Sequence, residues 1–204
     1  SIGGQPRGHL AALDPVTAAP TSWDPLTGIS PTQFAVLTVS SDESHAYGAI
    51  NGLSFLAWDG ATGSLTQVKF ANDLPRRVLA SGGRVYVAGD FTTFDGQPRD
   101  RIAGVDRVTG TTLGWNPGAN GSVRSLATEG AMVYVGGEFT VIGGQPRAGI
   151  AALDSASGAP SAWNPGLNGV PSAIVPHGNV VYVGGSFSVS DGVPTFGLAA
   201  FAAL

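Results

Sequence analysis

Five glycines, Gly4, Gly52, Gly96, Gly144 and Gly192, mark one position of a pattern that the chain repeats at spacings of 48, 44, 48 and 48 residues. The cleanest copy, MVYVGGEFTVIGGQPRAGIAALDSASGAPSAWNP, runs from Met132 to Pro165. A period of this length is the signature of a solenoid or a ring of repeated sheets, because one such unit cannot bury its apolar face alone. Within each period lie four short apolar or alternating runs, such as GIAALD, SAWNP, SAIVP and VVYVGGSF. None is long enough for an ordinary helix, and turn residues separate them all.

Four strands in roughly 40 to 50 residues describe one blade of a β-propeller, so the expected fold is all-β with four-stranded blades. The repeats span about 5–52, 53–96, 97–144 and 145–192, followed by an extra strand in 193–204, so residues 1–204 read as one propeller segment. Composition agrees: 31 Gly and 14 Pro against 12% charged residues would fit a low-complexity chain, but the Val, Ile, Leu, Phe and Trp residues recur in register with the repeat. There is no cysteine, which rules out disulfides and thiolate metal sites. Nine Arg and the single Lys69 face 14 acids, giving a net charge of -4 with no basic run to follow a phosphate backbone, so nucleic acid is not an expected partner. No apolar stretch approaches the roughly 20 residues that span a bilayer, so membrane insertion is not expected.

Residues 1–7, SIGGQPR, match the linker VIGGQPR of 141–147, so the sequence opens inside a repeat, without an initiating Met. The second repeat diverges: Leu-Ser-Phe replaces Gln-Pro-Arg, and Val68 stands where other copies have Trp. In the tail, Ala202 fills the position of Asp14, Asp59, Asp106 and Asp154. The expectation is therefore the C-terminal part of a larger ring, whose partner is the rest of the propeller or a second copy of the chain.

The recurring D-x-x-T/S-G is turn chemistry, in which a short carboxylate accepts backbone N–H groups and Gly supplies a positive φ. Asp59, Asp106 and Asp154 carry it fully, and Asp14 carries it with Ala18 in place of Gly. Nine residues after the Asp come Trp23, Trp115 and Trp163, placed to pack between neighbouring blades. These seven residues are read as structural.

The A-x-x-D-x-x-T-G pattern with its following Trp is similar to the Trp-docking repeats of quinoprotein dehydrogenase propellers. More specifically, V-Y-V-G-G-x-F-T-x-I-G-G-Q-P-R resembles the delta-sixty repeats of bacterial propellers, over nearly the whole chain. That resemblance implies a secreted or cell-surface β-propeller attached to other modules, with no catalytic set to carry over. The quinone enzymes would need a cofactor pocket built from several blades. Neither vicinal cysteines nor a cofactor and calcium constellation is visible here, so no cofactor is expected.

The small residues of GIAALD and FGLAAF fit a crowded channel, which makes the strand after the linker the expected innermost one. The D-x-x-T-G turns would then share one face with the hairpins LATEGAM and IVPHGNV. The linkers and second loops gather on the other, which in propellers commonly binds ligands. Arg7, Arg99 and Arg147 lie there with Asp24, Asn116, Asn120, Asn164 and Asn168, the candidate ligand-binding residues. The plainer alternative is that each Arg braces a loop and each Asn satisfies turn amides.

His9, His45 and His177 occupy unrelated repeat positions and build no metal triad, so no metal site is expected. Asp90, Asp95 and Glu138 cluster around the end of the fourth run, with Ser186 replacing the acid in the last copy, and Glu129 sits at a hairpin tip. The reading is an extracellular binding or scaffolding module for carbohydrate or protein. A carbohydrate-active enzyme using mouth carboxylates, or a quinone-dependent oxidoreductase, are the alternatives.

Overall fold

The structure, a computed structural model, describes residues 4–5, 10–26, 36–42, 44–50, 54–190 and 192–203. Alternating apolar residues and short turns produce nineteen strands in antiparallel sheets, and no helix forms among the described residues. Blade 1 holds β1 (Val36–Ser41), β2 (His45–Ile50), β3 (Ser54–Asp59) and β4 (Leu65–Phe70), hydrogen-bonded in that order. Blade 2 holds β5 (Pro75–Ser81), β6 (Arg84–Gly89) and β9 (Ile102–Asp106), with the short hairpin β7 (Thr93–Phe94) and β8 (Gln97–Pro98) between the last two. Blade 3 repeats this with β10 (Val123–Glu129), β11 (Met132–Gly137), the hairpin β12 (Val141–Ile142) and β13 (Gln145–Pro146), and β14 (Ile150–Asp154). Blade 4 has β15 (Val170–His177), β16 (Val180–Ser186), the hairpin β17 (Val189–Ser190) and β18 (Val193–Pro194), and β19 (Leu198–Ala202).

Two features differ from the sequence expectation. The blade frame is offset from the repeat frame, since each blade takes its first two long strands from one repeat and its third from the next. The strand after the linker is also third in its sheet rather than innermost. The blades approach one another most closely through β1, β5, β10 and β15, which pack side by side in sequence. Polar side chains tie these strands together. Ala80 N donates to Ser40 Oγ at 2.9 Å, Thr128 Oγ1 to Ser81 Oγ at 2.9 Å, and Ser125 Oγ to the Pro171 carbonyl at 3.1 Å. The small residues of GIAALD fit between two blades rather than beside a channel: Ala151 and Leu153 face blade 2 and Ile150 and Ala152 face blade 4, all fully buried.

The run SAWNP is also not a strand. Its place in blades 2 and 3 is taken by single bridges, Val105 to Thr112 and Leu153 to Pro160. Proline has no N–H to give a ladder, and P-S-A-W-N-P-G carries two of them. In blade 1, where the sequence is LTQVKF, a full fourth strand forms, with one register shift between Ala57 and Trp58. The linker, in turn, is a hairpin. Asp95 and Gly96, and likewise Gly143 and Gly144, both have positive φ, the demand of a type I′ turn.

Apolar residues from facing blades form the core. Tyr47, Phe55, Phe91 and Phe94 fill the joint between blades 1 and 2; Tyr86, Trp115, Phe139 and Ile142 fill that between blades 2 and 3; Tyr134, Trp163, Phe187 and Ile174 fill the next. On the other side of blade 1, Trp23 and Leu26 of the N-terminal segment cover Ile50, Leu56 and Trp58.

Candidate functional site

Each Asp of the D-x-x-T/S-G turn uses one oxygen in the same way. Asp106 Oδ1 accepts from Val108 N, Thr109 N and Thr109 Oγ1 at 3.0, 2.7 and 2.9 Å. Asp14, Asp59 and Asp154 do likewise. For Asp106 the hydrogen bonds from Thr109 hold the carboxyl below its ordinary pKa, as they do in the other copies from the matching residue. The turn closes on Gly63, Gly110 or Gly158 at φ 73, 70 and 80°, and Ala18 is forced to 55° in the first copy.

The Trp residues bolt one blade to the next. The indole N–H of Trp23 donates to the Asp59 carbonyl at 3.0 Å, that of Trp115 to Asp154 at 3.2 Å, and that of Trp163 to Ala202 at 2.8 Å. In each case the acceptor is the carbonyl at the Asp position of the following blade, so the backbone of Ala202 serves although its side chain cannot cap a turn. Trp115 also meets Tyr86 edge-on at 5.0 Å, and Trp163 meets Tyr134 at 5.4 Å.

The linker face carries the ligand candidates, and the structure divides them. Arg7 lies outside the described residues. Arg99 is buried, giving NH1 to Pro98 O at 2.7 Å and NH2 to Gln97 Oε1 and Leu113 O at 3.1 and 2.7 Å. Arg147 gives NH1 to Pro146 O and NH2 to Ser161 O at 2.7 and 2.5 Å. Both guanidinium groups therefore spend their terminal nitrogens on the backbone of their own blade. Asn120 reaches the next blade: its Oδ1 accepts from Thr140 N and Val141 N, both at 2.9 Å, while Nδ2 donates to Thr140 Oγ1 at 2.8 Å. Asn168 does the same with Ser188 N at 2.9 Å and Ser188 Oγ at 3.0 Å. Asp24 is half-buried in the segment that packs its backbone against Gly63.

Asn116 and Asn164 are different, being exposed and making no side-chain hydrogen bond among the described residues. Asn116 joins Gln145, Arg147 and Ser157 in a groove of about 630 Å³ between blades 2 and 3, walled by Pro117 and Pro160.

Sequence reasoning missed Asn72, which clamps Thr92 N at 2.8 Å and Thr93 N at 2.9 Å as Asn120 does its own partners. The signal was present, because Asn72, Asn120 and Asn168 are 48 residues apart and each lies 20 residues before its Thr or Ser partner.

The mouth acids are all paired. Arg76 binds Asp90 through Nε at 2.9 and 2.8 Å and through NH2 at 2.5 Å, and Ser122 Oγ donates to Asp90 at 2.6 Å. Burial pushes the Asp90 carboxyl up, but Arg76 and Ser122 outweigh it and leave its pKa lowered. Arg124 holds Glu138 at 2.7 Å, while Lys69, with Thr112 Oγ1, holds Asp95 at 2.5 Å, which also lowers the Asp95 pKa. A general acid for glycoside cleavage needs a raised pKa, the opposite of what Asp90 and Asp95 have. Among the described residues no group of three or more His, Asp or Glu is placed to hold a metal.

Consecutive antiparallel blades, joined side by side and bolted by repeated Trp and Asn residues, define a β-propeller. A family model described as a domain of unknown function (DUF5122) beta-propeller matches residues 81–103, which run from the β5–β6 hairpin through the Gln-Pro-Arg linker into β9. Similar solved structures include the computationally designed Ika4 protein, at 16% identity and a TM-score of 0.62 over 83% of this chain and 92% of that one. BamB from Moraxella catarrhalis follows at 23% identity and 0.57 over 82% of this chain and 47% of that one. A chain of a mitotic checkpoint complex gives 14% identity and 0.64 over 85% and 50%. The chain thus spans about half the length of the last two, and the likeness shows the fold. No curated protein sequence matches it.

Proposed function

We propose that the chain is part of an extracellular or cell-surface β-propeller that serves as a binding and scaffolding module, taking a polypeptide segment in the groove between blades 2 and 3. A propeller fold supports such a role, because its rigid sheets carry loops whose side chains are not needed for the core. The observation that carries the proposal is the contrast between Asn116 and Asn120. The latter is consumed by the joint, while Asn116 and Gln145 present free amides in a groove of about 630 Å³. An amide offers both a donor and an acceptor, which suits the alternating groups of an extended backbone. The tryptophans that would stack on a sugar ring are buried, Trp115 at 4% and Trp163 at 9% exposure, which favours polypeptide over carbohydrate. One similar propeller was solved in a mitotic checkpoint complex, and protein partners for this chain are consistent with that precedent. The delta-sixty resemblance supports the secreted, bacterial setting.

The test is a selection of peptides displayed on phage against the chain, run in parallel with a glycan array. Peptides whose affinity falls at least tenfold in Asn116→Ala and Gln145→Ala support the reading. Glycan binding alone, or peptide binding that ignores both changes, refutes it.

A further inference from the structure

Tyr47 and Tyr86 occupy one repeat position, two residues into the second strand of their blades, and their surroundings differ in one respect. Tyr47 donates its hydroxyl to Asp42 Oδ2 at 2.8 Å, and Arg107 NH1 of the next blade stands 3.5 Å from the same oxygen. Asp42 Oδ1 takes Ser44 N and His45 N, both at 2.7 Å. A carboxylate thus fills the space between a buried tyrosine hydroxyl and an arginine of the neighbouring blade.

Between blades 2 and 3 that carboxylate and that arginine are absent. Ser81, which pairs with Arg84 as Asp42 pairs with His45, takes the place of Asp42, and Ser155 takes that of Arg107. What remains is a cavity of about 390 Å³, lined by Ser81, Arg84, Tyr86, Leu113, Thr128 and Met132 among others. Tyr86 as a whole is 2% exposed, and its hydroxyl makes no side-chain or backbone hydrogen bond among the described residues but borders the cavity. Arg84 spends NH1 on the Ser155 carbonyl and leaves Nε and NH2 uncommitted. The hydroxyl therefore opens onto the cavity beside free guanidinium N–H groups, so that both are available to one ligand.

We propose that this cavity binds a small organic carboxylate, with its carboxyl group where Asp42 places its own in the preceding joint. Tyr86 Oη and Arg84 donate to the two oxygens, and the apolar part of the ligand rests on Leu113 and Met132. Asp106 lines the same cavity and would repel an anion, but Asp59 holds the same repeat position in blade 1, where the Asp42 carboxylate is tolerated. Burial raises the Tyr86 pKa, so the phenol remains a donor at neutral pH. The site shares no lining residue with the peptide groove, although Ser155 and Ala156 line the one and Ser157 and Gly158 of the same turn line the other.

Calorimetric titration of the chain with benzoate, and with benzyl alcohol as its neutral counterpart, tests the proposal. Saturable benzoate binding is expected, with benzyl alcohol at least tenfold weaker. Tyr86→Phe and Arg84→Met should each weaken benzoate at least tenfold. Ser81→Asp, which installs a protein carboxylate in the cavity, should abolish binding and raise the melting temperature. Should Arg84→Met unfold, Tyr86→Phe carries this arm alone, since it keeps the ring against Trp115. No benzoate binding, or equal binding before and after Ser81→Asp, overturns the proposal.

Discussion

The joint between blades 1 and 2 and the joint between blades 2 and 3 solve one packing problem with different residues. In the second, Trp115 lies across the gap, donates to the Asp154 carbonyl, and leaves Asn116 facing an open groove. In the first, Val68 replaces the Trp and is 42% exposed, and the blade instead completes a full β4. Gln67 lies against Gly110, where Trp115 lies against Gly158. Lys69 closes the rim on Asp95, where the next joint has Asn116 and Gly143. The lost aromatic volume returns as Phe55 and Phe94 deeper in the joint, edge-on at 6.3 Å, where the second joint has Ile102 and Ile142. Two elements are common to both, the Asn clamp and the side-by-side inner strands. A blade joint therefore needs the clamp and a filled core, while the Trp is one way of filling it that also leaves a groove behind.

The largest expected effect separates the joints. Trp115→Ala should cost about 3–5 kcal/mol, the range for removing a large buried aromatic, and Val68→Ala less than about 0.5 kcal/mol, as for surface changes. Urea denaturation of both variants checks this, and similar costs would erase the distinction drawn between the joints.

Next comes the Asp42 carboxylate, which has no counterpart at its position in the second joint, where Ser81 stands. Burial pushes the Asp42 carboxyl up, but hydrogen bonds from Ser44, Tyr47 and His45 outweigh it and bring the pKa to about 2. Because the folded value lies below the unfolded value near 3.8, this stabilisation is present above about pH 4 and is lost as pH falls toward 2. Two units correspond to roughly 2–3 kcal/mol at 1.36 kcal/mol per unit. Asp42→Asn should lower stability at pH 7 and flatten its decline between pH 4 and 2, as followed by thermal melts across that range. A variant with an unchanged acid limb would show that the carboxylate is not held as described.

Much of this was legible in the sequence. The period announced an all-β array of repeated blades, although only blade 1 completes a four-stranded sheet, and D-x-x-T-G announced its turn because both residue types have a local reason to be there. The innermost strand was not legible. Small residues suit a narrow channel and a tight interface equally well, and only the pairing of β9, β14 and β19 as third strands decides between them. Asn116 and Asn120 also look alike in WNPGAN, but four residues of loop turn one toward Thr140 and leave the other in solvent. The role of Asn72 was hidden by the divergence of its repeat, although its spacing was intact.

That clamp gives the third prediction. Asn72→Ala and Asn120→Ala should each cost about 1–2 kcal/mol through unpaired linker amides, measured by the same denaturation. Equal costs would establish the clamp as independent of the Trp, and a difference above about 1 kcal/mol would tie the two together. The smallest effect lies in the turns. Ala18 is held at φ 55° where its counterparts are Gly, so Ala18→Gly should gain up to about 1 kcal/mol by relieving the left-handed conformation. A loss on thermal melting would mean that the first turn relaxes differently.

The claim that the two joints differ in kind is tested most directly by hydrogen exchange with mass spectrometry as salt is raised. Exposed ion pairs weaken with screening, and an indole bond inside an apolar joint does not. The account predicts that the peptides of β4 and of the β7–β8 hairpin lose protection first, while those carrying Trp115 and the β12–β13 hairpin keep theirs. Simultaneous loss at both joints, or earlier loss around Trp115, would contradict it.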